Sequence, residues 1–293
     1  MTEAESTQIL GEWKRLKFGD EIPSNAVKGG YEKNGEPLYI GRATDWKNYC
    51  GKVSPSQGCF IPERGVEKRF TEFEILTNVE GMWVPVFDGN EEKPTNALKI
   101  TDYDGEDVYS GRYLHQGSLV LGKVFRTKTF ISYRGIEWNY SKNYEIFTVV
   151  PKNFTLKSKG HSKFLRKSGD YIVFRLKTSK FAQILLGTRK ESLFEVCLSN
   201  KNSFITDYKN SVFKETSNLC NEDEYTGFWI HMKNGLIKVG KESQIQPIIS
   251  LETETDLSVL EIVKFESLFK SEWNIPDYEE FEEVTEEMEF NYT

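Results

Sequence analysis

The sequence predicts an all-β protein, a tandem-repeat β module followed by a β-sandwich domain. Three observations predict it. A unit of about seventy residues is written twice before residue 150. Aromatic residues make up 14% of the chain, with 20 Phe, 14 Tyr and 22 Gly, and no helical period persists through the repeats. From residue 154 to 270, short apolar runs recur at intervals of 10–15 residues with turn residues between them.

The duplication keeps its phase. Trp13 recurs as Trp83, Asn25-Ala26 as Asn96-Ala97, Gly35 as Gly105, and Gly41-Arg42 as Gly111-Arg112. Gly51-Lys52 returns as Gly122-Lys123, Arg64-Gly65 with Glu67 as Arg134-Gly135 with Glu137, and Phe73-Glu74-Ile75 as Tyr144-Glu145-Ile146. The offset stays at 70 or 71 throughout, so one insertion and one deletion account for the drift. We place the copies at 10–78 and 80–150, after an N-terminal extension of residues 1–9.

Each copy opens at its tryptophan and passes through a polar turn into an apolar strand, LYIGRA or VYSGRY. Asn34-Gly35 and Asp104-Gly105 mark tight turns, because Gly accepts positive φ and Asn or Asp comes close to it. A loop, the Gly-Lys step and further strands follow, ending in EFEIL and YEIFTVV. In the second half we expect about seven strands, among them DYIVFRLKT, LFEVCLS, GFWIHM and VLEIVKFE, with a hairpin at Lys233-Asn234-Gly235. Seven short strands point to a sandwich over 154–270. An acidic tail is placed at 271–293.

The net charge of −7 is local. Residues 277–293 hold eight acids and no Lys or Arg, and setting them aside moves −7 to +1. A body that is close to neutral offers no basic face for nucleic acid. No run of 18 apolar residues occurs, so no membrane insertion is expected. The start, MTEAESTQIL, lacks the basic and apolar regions of a secretory signal, which gives an expectation of cytoplasmic residence with release by an unconventional route. Four cysteines without CxxC pairs are read as reduced thiols, and no metal is expected.

Enzyme motifs are missing. There is no phosphate-binding glycine loop, no GxSxG elbow and no HExxH, and His115, His161 and His231 have no evident partners. No catalytic residue and no cofactor are therefore expected. The repeat does offer a binding chemistry. An acid stands three residues before each turn glycine, Glu32 and Asp102, and a lysine follows each loop, Lys52 and Lys123. A carboxylate accepts hydrogen bonds from neighbouring hydroxyls and an ammonium donates to them, which suits a sugar diol. Tyr31, Tyr103 and Trp46 are aromatics placed to stack on a pyranose. The same spacing equally fits structural ion pairs between neighbouring strands. Arg42 and Arg112 recur with Glu67 and Glu137, and we read these as pairs that fix strand register; Trp13 and Trp83 are read as core.

The pattern from Trp13 through NAV, GG, NG, LYIGRA, GKV and RG to FEIL resembles the DM-nine repeat, in tandem over residues 10–150. The resemblance implies two intertwined repeats in a compact all-β module that binds mannose-type glycans, in a role in innate immunity. It implies that the sugar-contacting acid and lysine are Glu32 with Lys52 and Asp102 with Lys123. The first copy departs from the pattern at TDWKNYC, whereas the second keeps LHQGSLVLGK, so the standard specificity is expected at Asp102 and Lys123. The second half, through LFEVCLSNKNSFI and GFWIHMKNGLIKVG, resembles the farnesoic acid O-methyltransferase-like domain. That label implies methyl transfer from S-adenosylmethionine, but the strand pattern argues for a non-enzymatic sandwich. The overall expectation is a glycan-recognition protein, with avidity from two sites and homo-oligomerisation. The alternatives are a protein-interaction module without sugar binding and a farnesoic acid O-methyltransferase.

Overall fold

A computed structural model describes residues 11–43, 49–90, 92–150, 152–156, 161–167, 169–267 and 269–275. The N-terminal extension, Trp46 and the acidic run from residue 277 lie outside them. Among the described residues every regular element but one is a β-strand, the exception being a 3-10 turn at Leu257–Val259. The chain forms two compact units, one ending at Val149 and the other opening at Val150.

In the first unit each copy supplies seven strands. The first copy gives β1 (Glu12–Lys17), β2 (Lys28–Tyr31), β3 (Pro37–Ala43), β4 (Tyr49–Ser54), β5 (Gly58–Glu63), β6 (Val66–Phe70) and β7 (Glu72–Thr77). The second gives β8 (Gly81–Asp88), β9 (Lys99–Tyr103), β10 (Glu106–His115), β11 (Ser118–Phe125), β12 (Lys128–Tyr133), β13 (Ile136–Tyr140) and β14 (Lys142–Val149). They pair antiparallel in the order β1-β7-β3-β4-β5-β6-β13-β12-β11-β10-β14-β8, with β2 on β3 and β9 on β10. Exchanging the copies reverses this order onto itself, so a pseudo-twofold axis passes between β6 and β13.

The copies are intertwined rather than strung in a row. One cluster buries Val27, Leu38, Ile40 and Leu76 of the first copy with Trp83, Leu121, Phe147 and Val149 of the second. At the axis Val66 faces Ile136, and the neighbouring turns clasp each other. Glu67 accepts from Gly135 N at 2.7 Å, and Glu137 accepts from Gly65 N at 2.5 Å. Strand β2 also reaches β11, pairing Tyr31 with Leu119. Gly30 permits that approach, because a Cβ there would stand 2.0 Å from Leu119 O.

The second unit is a sandwich of two six-stranded antiparallel sheets. Its strands are β15 (Lys152–Leu156), β16 (His161–Arg166), β17 (Tyr171–Thr178), β18 (Phe181–Gly187), β19 (Ser192–Ser199), β20 (Asn202–Thr206), β21 (Ser211–Glu215), β22 (Thr226–Lys233), β23 (Leu236–Lys241), β24 (Ile249–Glu252), β25 (Ile262–Ser267) and β26 (Ser271–Ile275). One sheet runs β15-β26-β17-β22-β23-β24 and the other β16-β25-β18-β19-β20-β21. Phe174, Phe228 and Trp273 of the first close on Ile184, Phe194 and Phe265 of the second.

The seven strands expected here become twelve, and the expected boundary at 270 moves. Residues 271–275, assigned from sequence to the tail, form β26 between β15 and β17, and Trp273 is fully buried. The apolar side chains of Trp273 and Ile275 outweigh the local acidity, because a central strand needs only alternate residues inward.

Candidate functional site

Lys52 lies in the middle of β4, between Ile40 on β3 and Phe60 on β5. Every residue of β4 is buried. A buried ammonium must be met by carboxylates or carbonyls, since removing it from water unpaired costs several kcal/mol. The partners are present. Lys52 Nζ stands 2.9 Å from Glu32 Oε1 and 3.5 Å from Glu67 Oε1, with the ring centre of Tyr133 at 5.7 Å. Ser118, from the other copy, donates to Glu32 Oε2 at 3.0 Å and accepts from Lys33 N at 2.9 Å. Glu67 Oε1 is buried and accepts no hydrogen bond.

Glu32, Lys52, Glu67 and Tyr133 line an open pocket of about 310 Å³, together with Asn34, Glu36, Gln57 and Arg134. Burial alone would raise the Glu36 carboxyl, but the Ser54 and Ser56 hydroxyls, the Ser56 N–H and the nearby Lys52 hold it below the usual carboxylate range. Tyr133 is backed by His115, whose ring meets it edge-on at 4.9 Å and whose Nδ1 lies 2.6 Å from the Tyr140 hydroxyl. Burial pushes the His115 pKa down.

The second copy repeats the lysine and changes its company. Lys123, on β11 between Ser110 and Phe130, has its Nζ 3.1 Å from Glu63 Oε2 and 3.9 Å from Glu137 Oε1, and it donates to Pro62 O at 2.7 Å. The Tyr49 ring centre lies 4.3 Å from the ammonium. Burial, reinforced by Glu63 and Tyr103, pushes the Tyr49 hydroxyl above its ordinary pKa, so it stays protonated. A pocket of about 230 Å³ results, walled by Tyr49, Tyr103, Val108, Phe125 and Phe130.

Asp102, expected beside Lys123, is elsewhere. It is exposed, accepts from Gly105 N at 3.2 Å and stands 3.8 Å from Lys99 Nζ. The reason is a one-residue difference in the turn. In the first copy Tyr31 pairs with Pro37, and Glu32 N donates to Glu36 O across a three-residue loop. In the second, Asp102 pairs with Asp107 and Tyr103 with Glu106 across two residues, Asp104 and Gly105, both at positive φ. By strand register Glu32 therefore matches Tyr103, and Asp102 matches Tyr31, which is 42% exposed. In a strand, one residue changes the face.

The missing acid is supplied across the axis. Glu63 occupies in the first copy the place that Tyr133 occupies in the second, so acid and tyrosine have traded positions between the pockets. At Lys52 the acid comes from its own turn and the tyrosine from the other copy; at Lys123 the tyrosine, Tyr103, comes from its own turn and the acid from the other copy. Sequence reading missed Glu63 because it has no acidic counterpart at 133.

The recurring arginines are pairs, but with other acids than expected. Arg42 Nε donates to Glu74 at 2.7 Å, and Arg112 Nε and Nη2 donate to Glu145 at 2.7 and 3.1 Å. Trp13 and Trp83 lie under the two guanidiniums at 4.1 and 4.3 Å. Glu67 and Glu137, given that role from sequence, instead clasp the axis and face the lysines.

In the second unit a wider hollow of about 750 Å³ borders the Asn234-Gly235 turn. Its Asp207 carboxylate is committed, accepting from Lys209 N and Asn210 N of its own loop and from the Thr253 hydroxyl. His231 is buried on β22 beneath Tyr171, and burial pushes its pKa down to about 4. Cys50, Cys59, Cys197 and Cys220 are buried free thiols. Among the described residues no group of acids, histidines and cysteines is arranged to hold a metal, and no helix is long and apolar enough to cross a membrane.

Comparison with known proteins divides the chain at the same place. The DM9 repeat family matches residues 4–70 and 47–140, and the family described as farnesoic acid O-methyl transferase matches residues 151–274. No curated protein sequence matches the chain. Among solved structures, the nematode sperm cell motility protein MFP2B is similar over 47% of this chain and 46% of its own, at 14% identity and a TM-score of 0.36. The chain thus spans just under half of that protein. The Caenorhabditis elegans galectin LEC-6 is similar over 43% of this chain and 91% of its own, at 10% identity and a TM-score of 0.28. Likenesses this loose carry no function. The chain therefore joins tandem DM9 repeats, over residues 4–140, to a farnesoic acid O-methyl transferase family domain over residues 151–274.

Proposed function

We propose that the tandem-repeat unit binds carbohydrate, mannose-type glycans in particular, through two pockets centred on Lys52 and Lys123. One observation carries the reading. Each recurring lysine presents its ammonium inside an open pocket, between two carboxylates and beside aromatic rings. Adjacent sugar hydroxyls are matched by such a pair, one donating to a carboxylate while accepting from the ammonium, as an apolar pyranose face lies on the ring. Glu32, Lys52, Glu67 and Tyr133 act in one pocket, and Glu63, Lys123, Glu137, Tyr49 and Tyr103 in the other.

Each pocket is shallow, so a single sugar binds weakly and a branched glycan that reaches both gains by avidity. The match to DM9 repeats supports this reading and a role in innate immune recognition of microbial glycans. The test is calorimetry and a glycan array on the full chain. Lys52→Ala and Lys123→Ala together abolish mannan binding, while each alone leaves a weaker, monovalent interaction. Undiminished binding in the double variant, or an array blank for every sugar with folded protein, overturns the reading.

We read the second unit as a non-catalytic recognition or assembly surface. Its interior is filled by aromatic side chains, and the edge strand β21 is exposed at all five residues, with Phe213 68% exposed. Unpaired edges of this kind recruit partner strands. Homo-oligomerisation through β21 is the form we favour, and Phe213→Glu then shifts the sedimentation coefficient towards the monomer. Saturable heat on titration with S-adenosylmethionine would overturn the non-catalytic reading.

A further inference from the structure

The two pockets share a lysine floor but not their walls. Strand register matches Glu32 to Tyr103 and Ser54 to Phe125. In the Lys52 pocket those places are polar: Glu32 is a carboxylate of the lining, the buried Ser54 lies behind it and donates to the lining Glu36 at 2.7 Å, and Asn34 and Gln57 complete the rim. In the Lys123 pocket the same places are rings. Tyr103 meets Tyr49 and Phe125 edge to face, each at 5.5 Å between ring centres, and Val108 closes the side. The polar groups of the second pocket are Lys123, Glu63, Glu137, Arg64 and the hydroxyls of Tyr49 and Tyr103, which hydrogen-bond each other.

This distribution has a chemical consequence. A diol held by Lys123, Glu63 and Glu137 leaves the rest of the sugar ring against Tyr103, Phe125 and Val108. An exocyclic hydroxyl facing Phe125 and Val108 would give up water without finding a partner, whereas a methyl group there is buried favourably. At the Lys52 pocket the equivalent hydroxyl meets Glu32, Asn34 and Gln57. We infer that the pockets are not duplicates: the Lys123 pocket selects a 6-deoxyhexose, and the Lys52 pocket selects the parent hexose with its 6-hydroxyl. This inference rests on the sugar-binding reading above and adds the ligand class of one of its two sites.

The test uses a ligand pair that differs in one oxygen, methyl α-D-mannopyranoside and its 6-deoxy form, methyl α-D-rhamnopyranoside. The full chain is titrated as wild type, as Lys52→Ala and as Lys123→Ala. With Lys52→Ala, which leaves the second pocket, the 6-deoxy sugar binds about three- to tenfold more tightly, the modest discrimination typical of an apolar wall against one hydroxyl. With Lys123→Ala the order reverses or levels. Phe125→Ser, which restores the residue type of the first pocket, removes the preference for the deoxy sugar. Should the lysine variants fail to fold, proton spectra of the wild type decide, because the ring signals of Tyr103 and Phe125 then saturate at lower concentrations of the deoxy sugar. Equal affinities at the Lys123 pocket, or tighter mannoside binding there, overturn this inference and leave sugar binding intact. No binding of either sugar to any folded form overturns both.

Discussion

The two repeats follow one backbone plan and fill it with different side chains. The difference shows most clearly at the arginines. Arg112 is 4% exposed, makes two bonds to Glu145, donates a third to Gly29 O at 2.8 Å and covers Trp83. Arg42 keeps one bond to Glu74 over a half-buried Trp13, with 19% of its side chain accessible. The second copy lies inward here because β2 of the first copy crosses it, and the carbonyl of Gly29 becomes a partner. A repeat can thus preserve its strands while one copy becomes the interior of the other.

The largest expected effect tests this difference in depth. Glu145→Ala strands a buried guanidinium and costs about 3–5 kcal/mol, whereas Glu74→Ala costs about 1.5–2 kcal/mol because water reaches Arg42. Urea unfolding of the two variants measures both, and equal losses would show the copies to be equally packed. Next comes the crossing itself. Gly30→Ala pushes a methyl group into Leu119 O and costs about 1–3 kcal/mol or more, while Thr101→Ala at the matching place in the second copy costs well under that. Thermal melts read the contrast.

The third prediction concerns the exchanged acids. Glu32→Gln weakens sugar binding at the Lys52 pocket about tenfold, and Glu63→Gln does the same at the Lys123 pocket, as expected on losing one charge-assisted hydrogen bond. Calorimetry in backgrounds with the other lysine replaced separates the two. The smallest effect belongs to Asp102→Ala, which leaves sugar binding unchanged and stability within about 0.5 kcal/mol. A clear loss of binding in Asp102→Ala would restore the acid that simple sequence offset selects.

Much of the repeat unit was legible because its signals are local. Asn34-Gly35 and Asp104-Gly105 announce turns by residue type, and Gly-Lys and Arg-Gly steps recur in register. The acid partner of Lys123 was not legible, for a specific reason. The turn glycines align at an offset of 70, but the strand before them aligns at 71, with Lys28 matching Lys99. Anchoring on the glycine selects Asp102, whereas anchoring on the strand selects Tyr103, and hydrogen-bond register alone decides. Glu63 was hidden differently, since its partner lies 60 residues away across an axis that no spacing encodes. In the second unit β21 escaped notice because all its residues are exposed, and β26 because acids surround a short apolar alternation.

The clasp between the two turns makes each pocket the joint product of both repeats. Glu67 belongs to one repeat and is anchored on Gly135 of the other, while Glu137 answers on Gly65, so neither pocket can be assembled from one repeat alone. Two identical repeats closed by such a clasp would form two identical sites, and every substitution in the repeat would strike both at once. Two unequal repeats in one chain are free of that constraint. Glu63 and Tyr133 end matching strands of the two repeats and differ in kind, so each pocket varies on its own.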